Sequence, residues 1–178
     1  DWQARRLFLF PKFTPTVVAS NFCATALMEA YEITREKRYL EIALSAANFV
    51  INDLHRTEYK DGFLFSYSPL QGNDTVFNAS LLGSRMTGDN KYRKYIEKGF
   101  EFYIQNFFEA NGMPKYYDNR TYPIDIHCSG QLLVTLARLH KIEEYKEIVE
   151  KVIEWTICNM QNRKGYFYYQ LKPGISSK

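Results

Sequence analysis

Apolar residues recur along most of the chain with the three- and four-residue spacing of an amphipathic helix. The series Ile42, Ala46, Phe49 and Val50 is one example, and it places four apolar side chains on one helix face. The spacing predicts two sets of helices, a first set over 15–33, 73–87 and 124–140 and a second set over 36–54, 89–108 and 142–160. Short polar turns between them predict antiparallel helical hairpins, near 15–54, 73–108 and 124–160.

The three predicted hairpins repeat with a step of 53 residues. Tyr39, Tyr92 and Tyr145 stand at equivalent positions in them. Apolar residues fill the flanking columns, which are Ile33, Met86 and Leu139, then Ile42, Tyr95 and Ile148, then Phe49, Phe102 and Trp155. Matching columns over two successive steps indicate an internal repeat.

A second repeated element follows each hairpin, and it consists of a glycine and then alternating aromatic residues. Its three copies are Gly62–Tyr67, Gly112–Tyr117 and Gly165–Tyr169. A glycine turn followed by aromatic alternation predicts a short extended segment. Because helical hairpins account for most of the chain, the pattern predicts an all-α protein with short extended aromatic connectors.

This combination of hairpin length and connector style resembles the six-hairpin glycosidase-like proteins, whose fold is an (α/α) toroid. Shorter helical repeats have units of about 34 residues or about 40–47 residues, so a step of 53 fits them poorly. The resemblance implies that the chain is an (α/α) toroid or part of one, with the connectors around a central cleft. Since three hairpins are half of such a ring, we expect residues 1–178 to form a single domain that is a fragment of a longer toroid.

Two stretches, Thr121–Gln131 and Phe10–Pro15, are similar to uncharacterised members of this superfamily from bacterial surface-polysaccharide gene clusters, some labelled delta-aminolevulinic acid dehydratase. This resemblance implies a carbohydrate-active protein of bacterial polysaccharide metabolism, which binds and processes an oligosaccharide or a uronic-acid sugar in the cleft. It favours a glycosidase-like hydrolase, or a uronate lyase or epimerase. A non-catalytic helical-repeat scaffold or glycan-binding subunit is the alternative, because one fold hosts many functions.

Polar residues occupy matched columns of the predicted first helices, with Asn21, Asp74 and His127 in one column. Thr25, Asn78 and Gln131 form the column four residues later, on the same helix face. Helix capping explains several such residues without any ligand. If the columns line a cleft, Asn21, Asn78 and Gln131 are candidate substrate-binding residues, and so are four connector tyrosines that could stack on sugar rings, Tyr67, Tyr116, Tyr117 and Tyr122.

The candidate catalytic residues are Asp74, Asp125 and His127. Glycoside hydrolysis usually requires one carboxylic acid that protonates the leaving oxygen and one carboxylate that acts as base or nucleophile, and Asp74 and Asp125 are the best such pair. Histidine titrates near neutral pH, so His127 could act as a general acid or base. The alternative for each of them is a structural hydrogen bond at a helix start.

Composition and motifs exclude several other classes of function. The chain has 23 Lys+Arg, 20 Asp+Glu and a net charge of +3 without a basic run, so we expect no nucleic-acid partner. No apolar stretch approaches the roughly 20 residues of a membrane span. Nucleotide-binding and metal-binding motifs are also missing, so we expect no cofactor and no metal.

Three cysteines without a pairing pattern predict a cytoplasmic protein, or a periplasmic one if a signal precedes residue 1. Nothing in the pattern indicates an oligomeric state.

Overall fold

The computed structural model describes residues 11–60, 62–70 and 90–177. The chain divides into two compact units, Asp1–Phe102 and Tyr103–Lys178. The helix that the sequence predicts over 73–87 lies outside the described residues, together with Asp74 and Asn78.

The first unit begins with a pair of helices, α1 (Val17–Thr34) and α2 (Lys37–Asp53). Helix α1 begins where the hydroxyl of Thr16 accepts a hydrogen bond from the backbone N–H of Ala19. It ends at Arg35, whose φ of 58° is left-handed and whose N–H donates to the carbonyl of Tyr31. Because so short a link joins the helices, they form the antiparallel pair that the sequence predicts over 15–54.

A β-hairpin follows α2, and it is tied back to the start of α1. Strand β1 (Arg56–Tyr59) pairs antiparallel with β2 (Gly62–Phe65). The next helix of the described residues, α3, spans Asn90–Asn106. The N–H of Val17 donates to the carbonyl of Tyr67 at 2.9 Å, which joins the aromatic connector to the first turn of α1. One core cluster of this unit consists of buried apolar residues from α1, from α2 and the residue after it, and from β2, namely Val17, Val50, Leu54, Phe63 and Phe65.

The second unit combines two helices with a three-stranded antiparallel sheet. Its elements are β3 (Ile124–Asp125), α4 (Ile126–Leu139), α5 (Lys146–Met160), β4 (Gln170–Lys172) and β5 (Ile175–Ser177), and the strand order is β3-β4-β5. The hydroxyls of Ser129 on α4 and Thr156 on α5 lie 2.7 Å apart in the interior. The same two helices carry fully buried apolar residues, among them Leu132, Leu136, Val152 and Met160.

The prediction of an all-α fold is wrong. The described residues include five short strands in two antiparallel sheets, so the fold is mixed. The physical reason is that buried extended backbone needs hydrogen-bond partners. All four residues of β2 are buried, and β1 supplies those partners. In the second unit, the predicted helix from 124 begins only at Ile126, because the two preceding residues pair with β4.

Two glycines allow the aromatic connectors to approach a helix backbone closely, Gly62 at α3 and Gly112 at α5. Gly62 and Gly112 have φ values of 148° and 86°, and a Cβ on either would collide with helix backbone, at Lys98 and Lys151 respectively. Lys98 and Lys151 are 53 residues apart, which is the step of the sequence repeat. Each glycine is therefore needed both for its backbone conformation and for the space it leaves.

Candidate active site around Asp125 and His127

Asp125 is a buried carboxylate at the junction of β3 and α4. Its side chain is 4% exposed and it is the N-cap of α4, with extended backbone at φ −107° and ψ 134°. Oδ1 accepts a hydrogen bond from the backbone N–H of His127 at 2.9 Å, and Oδ2 accepts one from Nε2 of Gln170 at 2.9 Å. These donors compensate for the burial of a charge-bearing group.

The imidazole of His127 lies against the same carboxylate but extends into solvent. Nδ1 is 2.7 Å from Oδ1 of Asp125, and 79% of the side chain is exposed. An ionised carboxylate only accepts hydrogen bonds, so this contact fits a proton on Nδ1 and leaves the lone pair of neutral imidazole on Nε2. A buried carboxylate that orients an accessible imidazole can support proton transfer to or from a ligand.

Two tyrosines lie near this pair of residues, Tyr169 and Tyr116. The ring of Tyr169 meets that of His127 edge-on, with 6.1 Å between centroids. Tyr116 is half-buried, and its ring packs edge-on against the buried Tyr117 at 4.8 Å. Burial, with smaller contributions from Tyr117 and Asp125, raises the pKa of the Tyr116 hydroxyl to about 12. That hydroxyl is therefore a hydrogen-bond donor, and not a base, at neutral pH.

Cys128 and Arg120, in the same unit, have structural rather than chemical explanations. Burial raises the pKa of the Cys128 thiol to about 12, and the charge of Asp125 adds to this effect. A thiol that stays protonated is a poor nucleophile, so Cys128 does not form a reactive couple with its neighbour. The guanidinium of Arg120 stacks over the ring of Tyr117 at 3.7 Å from its centroid, which holds that connector in place.

The other predicted site residues are distributed over both units. Gln131 is exposed on α4, and its Nε2 donates to the hydroxyl of Thr135 at 3.1 Å. Tyr122 is exposed and precedes the cis peptide bond to Pro123. In the first unit, Asn21 is half-buried on α1 and its carbonyl accepts from the hydroxyl of Thr25. Tyr67, in the same unit, packs against the apolar core.

Sequence reasoning missed Gln170, which holds the second oxygen of Asp125. The available signal was the third aromatic connector, since the N–H of Ile126 donates to the carbonyl of Tyr169 at 3.1 Å. The first unit has the same arrangement, in which Val17 donates to Tyr67. In both units the carbonyl of a connector tyrosine accepts a hydrogen bond from the first residue of a helix, α1 or α4. A residue beside that tyrosine therefore lies next to the N-cap of the helix.

A known protein family matches the part of this chain that contains Asp125, His127 and Gln170. A model of the family described as Glycosyl Hydrolase Family 88 matches residues 72–173, which is more than half of the chain. The chain belongs to Glycosyl Hydrolase Family 88. This family has the six-hairpin glycosidase-like (α/α) toroid fold, so the resemblance in the sequence is confirmed at the level of the superfamily. As a member of Glycosyl Hydrolase Family 88, the protein is a carbohydrate-active protein.

One relative of this Family 88 chain comes from a virus. The chain is 26% identical over 152 residues to Uncharacterized protein L295 of Acanthamoeba polyphaga mimivirus, and the alignment covers 84% of this chain and 76% of that protein. Two further properties concern the part of the chain that the structure describes. None of its helices has the length and hydropathy of a membrane span, and it contains no group of three His, Cys, Asp or Glu residues suited to a metal ion.

Proposed function

We propose that the protein processes an oligosaccharide, with His127 as the group that moves the proton and Asp125 as the residue that orients it. The observation that carries this proposal is the 2.7 Å contact between the buried carboxylate and Nδ1 of an imidazole that is 79% exposed. In this arrangement Nε2 faces solvent and is accessible to a ligand. Membership of Glycosyl Hydrolase Family 88 supports a carbohydrate as that ligand.

The chemistry requires a second group besides His127. Glycoside cleavage usually uses one group that donates a proton and another that activates water or attacks the sugar. We assign the second role to Asp74, which lies inside the region matched by the family. Tyr116 and Tyr122 would contact the sugar rings, and the protonated hydroxyl of Tyr116 suits hydrogen bonding to a sugar oxygen. Tyr117 is buried and its ring is covered by the guanidinium of Arg120, so it would support Tyr116 and would not contact the sugar itself.

The substrate class that we propose is an oligosaccharide or uronic-acid sugar of a bacterial surface polysaccharide. The reaction is hydrolysis, or elimination or epimerisation at a uronic-acid residue. All three reactions need a positioned proton acceptor or donor, which the Asp125–His127 arrangement provides. The resemblance of Thr121–Gln131 to proteins of surface-polysaccharide gene clusters supports the polymer, and the family supports hydrolysis among the three reactions.

The decisive experiment measures turnover of neutral and uronic-acid oligosaccharides by the wild type and three variants. His127→Ala and Asp74→Asn should each lower kcat by about 100-fold or more, the usual contribution of general acid–base catalysis. Asp125→Asn should also lower kcat strongly, because an amide stabilises a protonated His127 less than a carboxylate does and its NH2 group cannot accept from Gln170. Full turnover by all three variants would contradict the proposed site.

A second candidate function is glycan binding without turnover. Both oxygens of Asp125 already accept hydrogen bonds, one from His127 and the other from Gln170, and the carboxylate caps α4. This structural role of Asp125 favours the second candidate. This alternative predicts that the wild type binds oligosaccharides and leaves them intact. Product analysis by mass spectrometry after prolonged incubation separates the two functions.

A further inference from the structure

Helices α1 and α4 begin in the same way, which allows the two units to be compared position by position. Thr16 is the N-cap of α1 and Asp125 is the N-cap of α4, and each side chain accepts a hydrogen bond from a backbone N–H of the first turn. The first residue of each helix donates its N–H to the carbonyl of a connector tyrosine, Tyr67 at 2.9 Å and Tyr169 at 3.1 Å. These shared hydrogen bonds make Tyr67 and Tyr169 equivalent positions.

The side chains at equivalent positions have opposite environments in the two units. In the first unit, Val18, the second residue of α1, and Tyr67 both pack against the buried apolar cluster. In the second unit, the second residue of α4 is His127, whose side chain is 79% exposed, and Tyr169 is 39% exposed. The rings of His127 and Tyr169 contact each other edge-on, with 6.1 Å between centroids. Positions that complete the core in one unit are therefore accessible to a ligand in the other.

The backbone of Tyr169 is fixed although its ring is accessible. The preceding residue donates its N–H to the carbonyl of Met160 at 2.8 Å, and the carbonyl of Tyr169 accepts from Ile126. The following residue, Gln170, pairs with Asp125 between β3 and β4. A tyrosine side chain has few rotatable bonds, so an exposed ring on a fixed backbone loses little conformational entropy when a ligand binds. Tyr169 is therefore well suited to contact a ligand beside His127.

We propose that Tyr169 is a further residue of the saccharide site, which positions the imidazole of His127 and contacts the sugar ring on which His127 acts. This inference rests on the proposed function. A pyranose ring presents apolar C–H groups on its faces, and an exposed aromatic ring can pack against them. Because the imidazole already contacts the Tyr169 ring, a sugar packed there would lie beside the imidazole.

The positioning role follows from the contacts that hold the imidazole. Among the described residues, it makes one side-chain hydrogen bond, between Nδ1 and Asp125, and one ring contact, with Tyr169. A single hydrogen bond leaves the imidazole able to pivot about it, and the ring of Tyr169 limits that movement. Misplacing a reacting group by about 1 Å can lower a rate by about 100-fold, so losing the ring contact should lower kcat.

The first test is steady-state kinetics with neutral gluco-oligosaccharides and oligogalacturonides, using the substrate that the wild type turns over fastest. Tyr169→Leu should raise KM by about tenfold, because the sugar loses an aromatic contact, and should lower kcat by about tenfold. Tyr169→Phe keeps the ring and should stay within about threefold of the wild type in both constants.

Tyr166→Leu is the matched control for Tyr169→Leu. Tyr166 belongs to the same connector and is 42% exposed, and its ring makes an edge-on contact at 6.0 Å between centroids, but with Tyr168. The two variants therefore remove equally exposed rings with equivalent ring contacts. Tyr166→Leu should change KM and kcat by less than about twofold.

Nuclear magnetic resonance provides a second measurement, which requires no loss of the aromatic ring. In the chain labelled with 3-fluorotyrosine, the fluorine signals of Tyr169 and Tyr166 are assigned by their absence from the two phenylalanine variants. Adding the preferred oligosaccharide should shift the signal of Tyr169 and leave that of Tyr166 in place. Without saccharide, Tyr169→Leu should shift the ring-proton signals of His127 but not those of His55 and His140, which reports on the positioning role.

The outcomes separate this inference from the proposed function. If the wild type turns over a saccharide and Tyr169→Leu behaves like Tyr166→Leu, the inference is wrong and the proposed function stands. Turnover without a shift of the Tyr169 signal, or unchanged His127 signals in Tyr169→Leu, also contradicts the inference. If saccharide shifts the Tyr169 signal but no product forms, the contact with the sugar is supported and the proposed turnover is wrong. If no saccharide is turned over or shifts any signal, both are wrong.

Discussion

Gln170 lies opposite Asp125 in the antiparallel pair of β3 and β4, and its side-chain amide donates to Oδ2 of that buried carboxylate at 2.9 Å. The other oxygen of Asp125 contacts His127. A strand that is 45 residues further along the chain therefore fixes the carboxylate that orients the candidate catalytic imidazole.

Replacing Gln170 with leucine should destabilise the protein by about 1–3 kcal/mol, because a buried carboxylate oxygen loses its donor. The free energy of unfolding from urea denaturation measures the effect. Gln161→Leu is the matched control, since Gln161 makes a longer and exposed hydrogen bond, 3.3 Å to the carbonyl of Gly165. Equal losses in the two variants would show that the contact between Gln170 and Asp125 contributes nothing of its own.

The sequence identified Asp125 and His127 as site residues but not the contact between them. On a continuous helix from 124, residues two apart point in different directions, so the two side chains would diverge. The structure ends the strand at Asp125 and begins the helix at Ile126, and this change of backbone conformation brings the carboxylate back to the imidazole. The change depends on pairing with β4, a non-local interaction that local periodicity does not contain.

The repeat also predicts helices better than it predicts equivalent site positions. Helices α1 and α4 begin at Val17 and Ile126, which are three residues further apart than two repeat steps. Asn21 is consequently the fifth residue of α1, whereas His127, from the same sequence column, is the second residue of α4. The helix residues that Gly62 and Gly112 approach, Lys98 and Lys151, do lie 53 residues apart, although the two glycines themselves are 50 residues apart.

The three cysteines should differ sharply in their reaction with a thiol reagent. Cys23 and Cys158 are exposed, whereas Cys128 is half-buried, and its desolvation and the charge of Asp125 raise its pKa to about 12. At pH 8 under native conditions, two thiols should react within minutes with an aromatic disulfide reagent, and the third should react far more slowly than it does after unfolding. Mass spectrometry of the labelled peptides identifies each site. Rapid labelling of Cys128 would contradict the burial of its thiol.

The same pKa shift predicts a loss of stability at alkaline pH. The folded state holds the Cys128 proton more tightly than the unfolded state, whose pKa is near 9.0. Stability from this group is therefore complete below about pH 9 and falls between about pH 9 and pH 12, by about 1.4 kcal/mol per pH unit at most. Urea denaturation at pH 8 and pH 10 measures it. Cys128→Ala should show a smaller decrease than the wild type, and an identical decrease would contradict this assignment.

Gly112 should be far less tolerant of substitution than Gly165. Both have positive φ values, 86° and 92°, so alanine at either costs about 1–2 kcal/mol of backbone strain. A Cβ at Gly112 would also overlap the backbone of Lys151 and Val152 on α5, whereas a Cβ at Gly165 meets no atom within 4 Å among the described residues. Overpacking of that kind costs about another 1–3 kcal/mol. Thermal unfolding of Gly112→Ala and Gly165→Ala isolates this steric part, and equal melting temperatures would show that the connector does not need to approach α5 so closely.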